Sequence, residues 1–265
     1  MTLAPIMYLP HGGGPMPLLN EPGRLPVSLF LRAVSSVTTK PKAIVIVSAN
    51  WEEECVSILT PEAAGSSRGS SHNPASAGGI VNSPSPDRLL ADTIGGLLSD
   101  AGIQHRRVRE RGFDHAVIVP MKILYPDDDT PCVQLSLVKG LDPALHIEIG
   151  KALSRLRADN VLIIGSGMSF INMQAMQHPE TQTAAASFNQ WLIDTCCSAE
   201  FTLGQREQRL CDWTEAPYAR YCHPREEHLM PLHVCMGMTQ DSSTPAELVF
   251  NETVLGAAVS GVLWQ

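Results

Sequence analysis

Residues 43–49 read AIVIVSA, an uninterrupted run rich in β-branched residues that is the strongest strand signal in the chain. A second apolar run at residues 5–9 precedes it and stops at Pro10, His11 and three glycines. Between the two runs, residues 25–37 carry apolar side chains at helical spacing. This strand, helix, strand order predicts a parallel pair of strands joined by a right-handed crossover.

The rest of the chain continues the alternation of strands and helices. Strands are predicted at residues 104–108, 132–137, 161–164, 247–250 and 254–263. Helices are predicted at residues 87–101, 142–157, 183–197 and 203–213 and after Pro224, with Asp142 as an N-cap, Pro143 at the first helical position and Gly102 as a stop signal. We therefore expect one α/β domain over residues 1–265, with a mostly parallel central sheet and helices on both faces.

Residues 60–86 differ in composition from their surroundings, since Gly, Ser, Ala and Pro dominate them and no periodicity is visible. A stretch of this length inside a compact domain is either a lid or disordered. His72 in its middle is expected at the surface.

The composition of the chain argues against several classes of protein, such as those that bind nucleic acid or membranes. With 44% hydrophobic and 17% charged residues and a formal charge of −8, the chain has no electrostatic reason to bind nucleic acid or an anionic membrane. The seven cysteines are odd in number and form no CxxC pair, which is typical of reduced thiols rather than of disulfides or a zinc knuckle. No signal peptide or membrane span is visible, so a cytoplasmic protein is expected, with a homo-oligomer possible.

Residues 221–234 concentrate three of the nine histidines and two adjacent carboxylates, Glu226 and Glu227. These side chains bind divalent metals or move protons near neutral pH. A structural alternative stays open for the two glutamates, because acids that follow Pro224 suit the start of a helix. His228 lies between these acids and an apolar run, and it is the strongest candidate for a site residue.

Other candidates lie where predicted strands end. They are His11, Asn50 and Trp51, His115 in the GFDH segment, and residues 165–172, which include Ser169 and Ile171. In open α/β sheets such positions meet at the ligand-binding edge. The Gly-Ser-Gly turn at residues 165–167 could cradle an anion, although no dinucleotide or P-loop motif is present.

Several further residues have two interpretations. Tyr218 and Arg220 could bind a carboxylate or a phenol, and Trp51 and Phe113 could line a pocket or belong to the core. Of the remaining histidines, His105, His146 and His178 are expected to be solvated, and His233 is expected to pack or cap in the last helix.

The segments HGGGPMPLL, IVIVSANWE, RGFDHAVIVPMKILYP, VQLSL, LIIGSGMSFINM and APYARYCHPREEHLMPL resemble, in this order, the class III extradiol ring-cleavage dioxygenases of the subunit-B superfamily, most closely the single-chain DOPA-dioxygenase type. The resemblance covers nearly the whole chain. It implies a non-haem iron, or sometimes zinc, that binds both hydroxyls of a catechol. It also implies that His11 and His228 are metal ligands and that His115 is an acid/base residue.

The chain departs from this family at decisive positions. The family usually has a histidine ligand where Asn50 stands, and a second catalytic histidine where Ile171 stands. An amide in place of an imidazole weakens the binding of first-row metals, and isoleucine cannot move a proton. Rescue of the metal site by His72, Glu52 or Glu227 is conceivable. An aromatic loop segment of the family is replaced here by SAGGIVNSP.

Three functions stay open at this point. The first is an enzyme that acts on a small aromatic or polyketide-like substrate by acid/base, hydrolytic or rearrangement chemistry without iron, using His11, His115 and His228. The second is a true extradiol dioxygenase with a rebuilt iron or zinc site, and the third is a non-catalytic binding homologue. In the first, Asn50, Trp51, Ser169, Ile171, Tyr218 and Arg220 would contact the substrate.

Overall fold

A computed structural model describes residues 3–12, 22–34, 40–60, 84–126, 129–176, 178–239 and 244–265. The strands in this part of the chain are β1 (Ile6–Pro10), β2 (Ala43–Glu53), β3 (Val56–Leu59), β4 (His105–Val108), β5 (Cys132–Val138), β6 (Val161–Gly167), β7 (Glu247–Val254) and β8 (Ala257–Trp264). The helices are α1 (Leu25–Val34), α2 (Arg88–Asp100), α3 (His115–Leu124), α4 (Pro143–Leu153), α5 (Thr181–Cys197), α6 (Leu203–Cys211), α7 (Ala219–Cys222) and α8 (Met230–Gly237). Short 3-10 helices span Pro22–Arg24, Ser154–Asp159 and Trp213–Glu215.

The described strands form one sheet in the order β4-β3-β5-β2-β6-β1-β8-β7. Its centre is parallel, since β6 pairs in parallel with both β1 and β2, and β2 pairs in parallel with β5. The antiparallel pairs are β3 with β5, β1 with β8 and β7 with β8. The predicted α/β class with a mostly parallel sheet and helices on both faces is confirmed.

The predicted direct pairing of the first two strands is wrong, because β6 lies between β1 and β2. Every residue of β6 is buried, and its apolar sequence suits a central strand covered on both faces. The crossover from β1 to β2 therefore passes over one strand that enters the sheet much later in the chain. Sequence order alone does not reveal such an insertion.

β2 is longer than predicted and runs through Asn50 and Trp51 to Glu53. Its register against β5 shifts between Val47 and Glu52. Asn50 therefore lies in an irregular stretch of β2 of the kind that a β-bulge produces. Such irregularities change the direction of side chains and are common next to functional sites. The short strand β3 follows after two residues and was not predicted.

Several predicted helix boundaries agree with the structure. Asp87 caps α2 through Leu90 N at 2.9 Å, and Asp142 caps α4 through Ala144 N at 2.9 Å. Gly102 follows α2 with a φ of 70°. The last part of the predicted helix at residues 142–157 is instead a 3-10 helix that ends at Asp159 and is followed by Asn160, whose φ is 58°.

The helix predicted directly after Pro224 begins later, at Met230, with Pro231 in its first turn. The backbone carbonyl of His228 bonds to Tyr8 and Met168 instead of to a helical amide, which holds residues 224–229 in turns. Glu226 and Glu227 therefore lie in these turns and not in the first turn of a helix.

Three regions named in the sequence interpretation fall partly or wholly outside the described residues. They are the end of the predicted first helix at residues 35–37, most of the glycine-rich segment at residues 60–86 with His72, and the glycines after Gly12. No helix of the described ranges is long and apolar enough to cross a membrane.

Helices α4 and α8 pack closely through two glycines. A Cβ atom on Gly237 would lie 2.0 Å from the backbone oxygen of Ile147, and one on Gly150 would lie 2.1 Å from that of Val234. Both distances are far below any normal contact between nonbonded atoms. The backbones of the two helices therefore approach each other only because neither glycine has a side chain.

We expect Gly237→Ala to lower the free energy of unfolding by about 1–3 kcal/mol, because the added methyl group forces α4 and α8 apart. Gly96→Ala is the matched control, since Gly96 lies in α2 with open space around its Cα atom. The control should raise stability by about 0.5–1 kcal/mol, because glycine loses more backbone entropy on folding than alanine. Urea unfolding of both variants checks the prediction, and equal stability of the two would contradict it.

Two histidines outside the candidate site are buried in the core. His146 was predicted to be solvated, and this is wrong: its Nδ1 donates to the backbone oxygen of Asp142 at 2.7 Å, and its Nε2 accepts from Val138 N at 3.2 Å. His233 packs as predicted, with Nε2 2.8 Å from Leu210 O and Nδ1 3.1 Å from Leu229 O. His105 is half-buried and His178 is exposed.

Burial lowers the pKa of His233 to about 4, although both carbonyl contacts oppose the shift. The ordinary imidazole pKa is about 6.5, so between pH 6.5 and 4 the unfolded chain binds a proton that the folded chain does not. The stability that this neutral side chain contributes is therefore complete above pH 6.5 and is lost as the pH falls toward 4.

His233→Gln should be less stable than the wild type at pH 7.5 because it loses buried contacts. This difference should shrink by about 2 kcal/mol at pH 5, where the wild type alone carries the protonation cost of His233. Urea unfolding at both pH values measures it. A difference that does not change with pH would contradict the low pKa.

Candidate active site

His11 and His228 lie side by side at the carboxyl end of the central strands. His11 directly follows β1, and its backbone N donates to the oxygen of Gly167 at 3.2 Å. The two imidazole ring centroids are 5.1 Å apart with an angle of 36° between the rings. Pro10 pairs with Gly167, and Ser48 pairs with Ser166. The register therefore brings the ends of β1, β6 and β2, with Asn50, to one edge of the sheet.

A short hydrogen-bond chain orients the ring of His11. The hydroxyl of Ser166 donates to the backbone oxygen of Ala116 at 2.6 Å, so its oxygen is left to accept from His11 Nδ1 at 3.4 Å. His11 Nε2 is buried and has no hydrogen-bond partner. The ring therefore presents a lone pair at Nε2.

The buried setting keeps His11 neutral. Burial lowers the pKa of His11 to about 4, the contact with Ser166 opposes the shift, and the charge of the neighbouring His115 lowers the pKa further. At pH 7 the side chain is therefore an uncharged acceptor. A buried acceptor of this kind is costly unless a ligand satisfies it.

The backbone of His228 is held by two donors. Its oxygen accepts from the Tyr8 hydroxyl at 3.0 Å and from Met168 N at 3.2 Å. A Cβ atom on Gly167 would lie 2.2 Å from the same oxygen. The observed position of the His228 backbone thus depends on a tyrosine on β1 and a glycine on β6.

The ring of His228, like that of His11, is buried, has a lowered pKa and leaves one nitrogen without a partner. Its Nδ1 is buried and unpartnered. Burial lowers the pKa of His228 well below its usual value, and the adjacent His11 lowers it further. Two neutral imidazoles with unused nitrogens therefore stand next to each other.

The Gly-Ser-Gly segment is not the anion-binding turn that was predicted. Residues 165–167 continue β6, and a Cβ atom on Gly165 would lie 2.6 Å from Cys235 Sγ and 2.8 Å from Pro231 O. The glycines are needed because the chain around His228 and α8 lies directly on the strand. Glycine within a strand marks such a close backbone approach.

Gly167→Ala should displace the carbonyl of His228, and the ring nuclear magnetic resonance signals of His228 and His11 should shift. The ring signals of His146, which lies outside this contact, serve as the internal control. Unchanged His228 signals in a folded variant would show that Gly167 does not seat this residue.

Asn50 and Trp51 differ in how their side chains are used. Asn50 is exposed, and its backbone N donates to Ser48 Oγ at 3.1 Å. Trp51 is 2% exposed, its indole N–H donates to Glu53 Oε1 at 2.9 Å, and Arg111 stacks 4.5 Å from its ring centroid. Asn50 is thus available to a ligand, whereas the polar group of Trp51 is already engaged.

His115 is the first residue of α3, directly after the N-cap Asp114. The Asp114 carboxylate accepts from Ala116 N at 2.9 Å, Ser48 Oγ at 2.8 Å and Gln134 Nε2 at 2.5 Å. Burial raises the pKa of Asp114, and these hydrogen bonds oppose the shift. Asp114 therefore ties α3 to β2 and β5, which places the half-buried His115 near His11. Phe113 belongs to the core.

The side chains of Ser169 and His223 are buried and make their contacts within the core. Ser169 is buried, and its Oγ accepts from Ser260 N at 2.8 Å. His223 Nε2 donates to Ser169 O at 3.0 Å, and its ring lies 5.1 Å from Phe188. Burial lowers the pKa of His223 to about 4. His223 is therefore a core histidine of the segment that also carries His228.

Tyr218 and Arg220 lie farther out. Tyr218 is 42% exposed and has a left-handed backbone with a φ of 56°. Arg220 pairs with Glu226 at 2.6 Å and stacks 4.5 Å from the Trp213 ring centroid. The charge of Arg220 is thus already paired at the surface. Ile171 is half-buried and lines an apolar cleft.

The carboxylates considered as replacement metal ligands point elsewhere. Glu52 pairs with Arg225 at 2.5 Å, and Glu227 pairs with the same guanidinium at 3.5 Å. Within the described ranges, no group of three or more His, Cys, Asp or Glu side chains could hold a metal ion. His11 and His228 supply two imidazole nitrogens, and the family resemblance puts the neutral amide of Asn50 in the place of the third ligand. This donor set does not fit a three-ligand iron centre.

Comparison with known proteins assigns the chain to a family. A family model described as the catalytic LigB subunit of aromatic ring-opening dioxygenase matches residues 19–260. The chain belongs to the LigB family. It is 31% identical over 275 residues to the dioxygenase tasH of Hapsidospora irregularis, covering 91% of this chain and 80% of that protein. It is 34% identical over 256 residues to a 4,5-DOPA dioxygenase extradiol of Beta vulgaris, covering 92% and 90% respectively.

Structural comparison supports the LigB fold. The crystal structure of an uncharacterized Escherichia coli K12 protein superposes with a TM-score of 0.77 at 24% identity, covering 99% of this chain and all of that one. The resemblance noted in the sequence is thus confirmed at the level of family and fold.

Sequence reasoning did not single out Tyr8, and it named Ser166 and Gly167 only as part of the turn at residues 165–167, not for the contacts that they make with His11 and His228. The glycines inside a buried run were the available signal, because glycine in a strand interior indicates close backbone approach. Tyr8 gave no such signal, since a tyrosine in an apolar strand is ordinary. Its partner is a carbonyl 220 residues away in the chain.

Proposed function

We propose that this LigB-family protein is an enzyme that acts on a small aromatic or polyketide-like substrate by acid/base chemistry that does not depend on iron. The observation that carries the proposal is the pair of buried, unpartnered ring nitrogens, His11 Nε2 and His228 Nδ1, on imidazoles 5.1 Å apart. These two neutral acceptors suit a compound whose hydroxyl groups donate to them, and Asn50 would offer its amide to the same compound.

The proposed proton path begins at His11. A phenolic or enolic hydroxyl of the substrate donates to Nε2, and the proton moves to this nitrogen as the substrate becomes an oxyanion. The negative charge of that oxyanion stabilises the imidazolium, which burial otherwise disfavours. The proton then returns to a carbon or oxygen atom of the product, so the enzyme regains its starting state.

His228, His115 and Asn50 have supporting roles in this proposal. The second neutral imidazole, at His228, accepts from a neighbouring hydroxyl of the substrate. His115, at the N-terminal end of α3, exchanges protons as the second acid/base group. Asn50 donates its amide N–H to the developing oxyanion. Hydrolytic and rearrangement reactions both use such steps, and the choice between them depends on the substrate.

Metal content distinguishes chemistry that does not depend on iron from ring cleavage. Purified protein should hold well under one iron or zinc ion per chain, and a chelator should leave its activity unchanged. Elemental analysis together with activity before and after chelation measures both. One tightly held metal ion per chain, with oxygen uptake on a catechol, would overturn the proposal.

A true extradiol dioxygenase is the second candidate, and the names of the relatives support it. In that case restoring the family residues with Asn50→His and Ile171→His together should raise catechol ring cleavage. Oxygen consumption and ring-opened product report the gain. Each single variant serves as a control, since both losses would need repair.

A further inference from the structure

A groove outside the candidate active site is formed by α5, α6 and the 3-10 helix that follows them. Its cavity volume is about 490 Å³, within the range of about 300–1,000 Å³ that is usual for small-molecule sites. Its lining includes two aromatic residues, Trp191 and Phe201, and three charged ones, Arg209, Asp212 and Glu215. We call it the Arg209 groove.

The guanidinium of Arg209 is held in a fixed orientation. Its carbon atom lies 4.5 Å from the ring centroid of Phe201 and 5.7 Å from that of Trp191. Its Nε donates to Thr195 Oγ1 at 3.0 Å, and the Thr195 hydroxyl in turn donates to Trp191 O at 2.7 Å. These contacts order the side chain before any ligand arrives, which lowers the entropy that binding would cost.

The two terminal nitrogens of Arg209 are unused. Among the residues that the structure describes, no carboxylate pairs with this guanidinium, and its one hydrogen bond is the one from Nε to Thr195. A planar, oriented guanidinium with two free terminal nitrogens matches the two oxygens of a carboxylate. The groove therefore provides a preformed partner for one carboxylate group.

Two carboxylates line the same groove. Asp212 and Glu215 are exposed. Asp212 Oδ2 accepts from Gln208 Nε2 at 2.7 Å, whereas the Glu215 side chain makes no ion pair or hydrogen bond with any other described residue. Repulsion from these two charges disfavours a ligand with several negative charges and favours one that also carries a cation.

The rest of the lining is apolar. Trp191 and Phe201 are half-buried, so part of each ring faces solvent, and Ala216 lies in the same groove. An apolar group placed here would remove its own surface and that of the rings from water. The groove thus combines a partner for a carboxylate, partners for an ammonium group and an apolar wall.

We infer that the Arg209 groove binds a free α-amino acid with an apolar side chain. The carboxylate of the amino acid pairs with Arg209, its ammonium group lies at Glu215 and Asp212, and its side chain lies against Trp191 and Phe201. This is a second ligand site, and it does not depend on the proposed function of the two imidazoles.

A nuclear magnetic resonance titration of the ¹⁵N-labelled, full-length protein with L-phenylalanine tests the inference. The chain has four tryptophans, and Trp191→Phe and Trp51→Phe assign the two indole N–H signals that matter. The Trp191 signal should shift in a saturable way with a dissociation constant of about 1 mM or below. The Trp51 signal, next to Asn50, should not move. A shift of Trp51 alone, or no saturable shift of Trp191, would overturn the inference.

Analogues of the ligand test each contact in the unchanged protein. L-phenylalaninamide lacks the carboxylate and should bind at least about tenfold more weakly than L-phenylalanine. N-acetyl-L-phenylalanine lacks the ammonium group and should bind about two- to fivefold more weakly. L-alanine lacks the large apolar group and should bind at least about tenfold more weakly. Equal affinity for all four compounds would contradict the assignment.

Variants locate the carboxylate contact. Arg209→Gln should weaken the binding of L-phenylalanine at least about tenfold and leave that of L-phenylalaninamide unchanged. Arg209→Lys keeps the charge but loses the planar fork, so its loss should be intermediate, and it guards against misfolding of the first variant. Arg155→Gln is the matched control, since Arg155 is exposed and lies outside the groove. Equal affinity of Arg209→Gln and this control for L-phenylalanine would overturn the inference.

Discussion

The contact between the His228 segment and the central strand β6 determines the layout of the candidate site. Gly165 and Gly167 have no side chains, so the His228 segment can lie directly on β6. The Tyr8 hydroxyl donates to the His228 carbonyl at 3.0 Å. Gly237 lets α8 approach α4 in the same way on its other side. Because this close packing brings residue 228 onto the end of β6, its imidazole meets that of His11, which follows the neighbouring strand.

The two imidazoles that result are buried and neutral, and each has one ring nitrogen without a partner. Burial lowers the pKa of His11 and of His228, so both act as acceptors at neutral pH. The LigB scaffold and the two imidazoles are retained, whereas Asn50 and Ile171 replace a ligand and an acid/base group that the family resemblance implies. Glu52 and Glu227, the carboxylates considered as replacement ligands, pair with Arg225. We therefore propose that this pair of imidazoles binds a hydroxylated organic molecule rather than a tightly held cation.

The sequence predicts the fold class and most elements because buried β-branched runs and capped helices are local signals. It does not predict that β6 separates β1 from β2, since strand order depends on long-range packing. The candidate residues His11, Asn50, His115 and His228 could be named from their positions after strands and from the family resemblance. The contacts around these residues could not be predicted, because those of Tyr8 and Ser166 join segments far apart in the chain. The burial of His146 depends on two backbone partners that no sequence pattern indicates.

Whether the third metal ligand is missing can be measured as the affinity for cobalt(II) of the metal-free wild type and of Asn50→His. Isothermal titration and the visible absorption of bound cobalt both report it independently of any activity. We expect Asn50→His to bind cobalt about tenfold or more tightly than the wild type, because the substitution completes a three-imidazole set. Tight one-to-one binding by the wild type, unchanged by the substitution, would contradict the account.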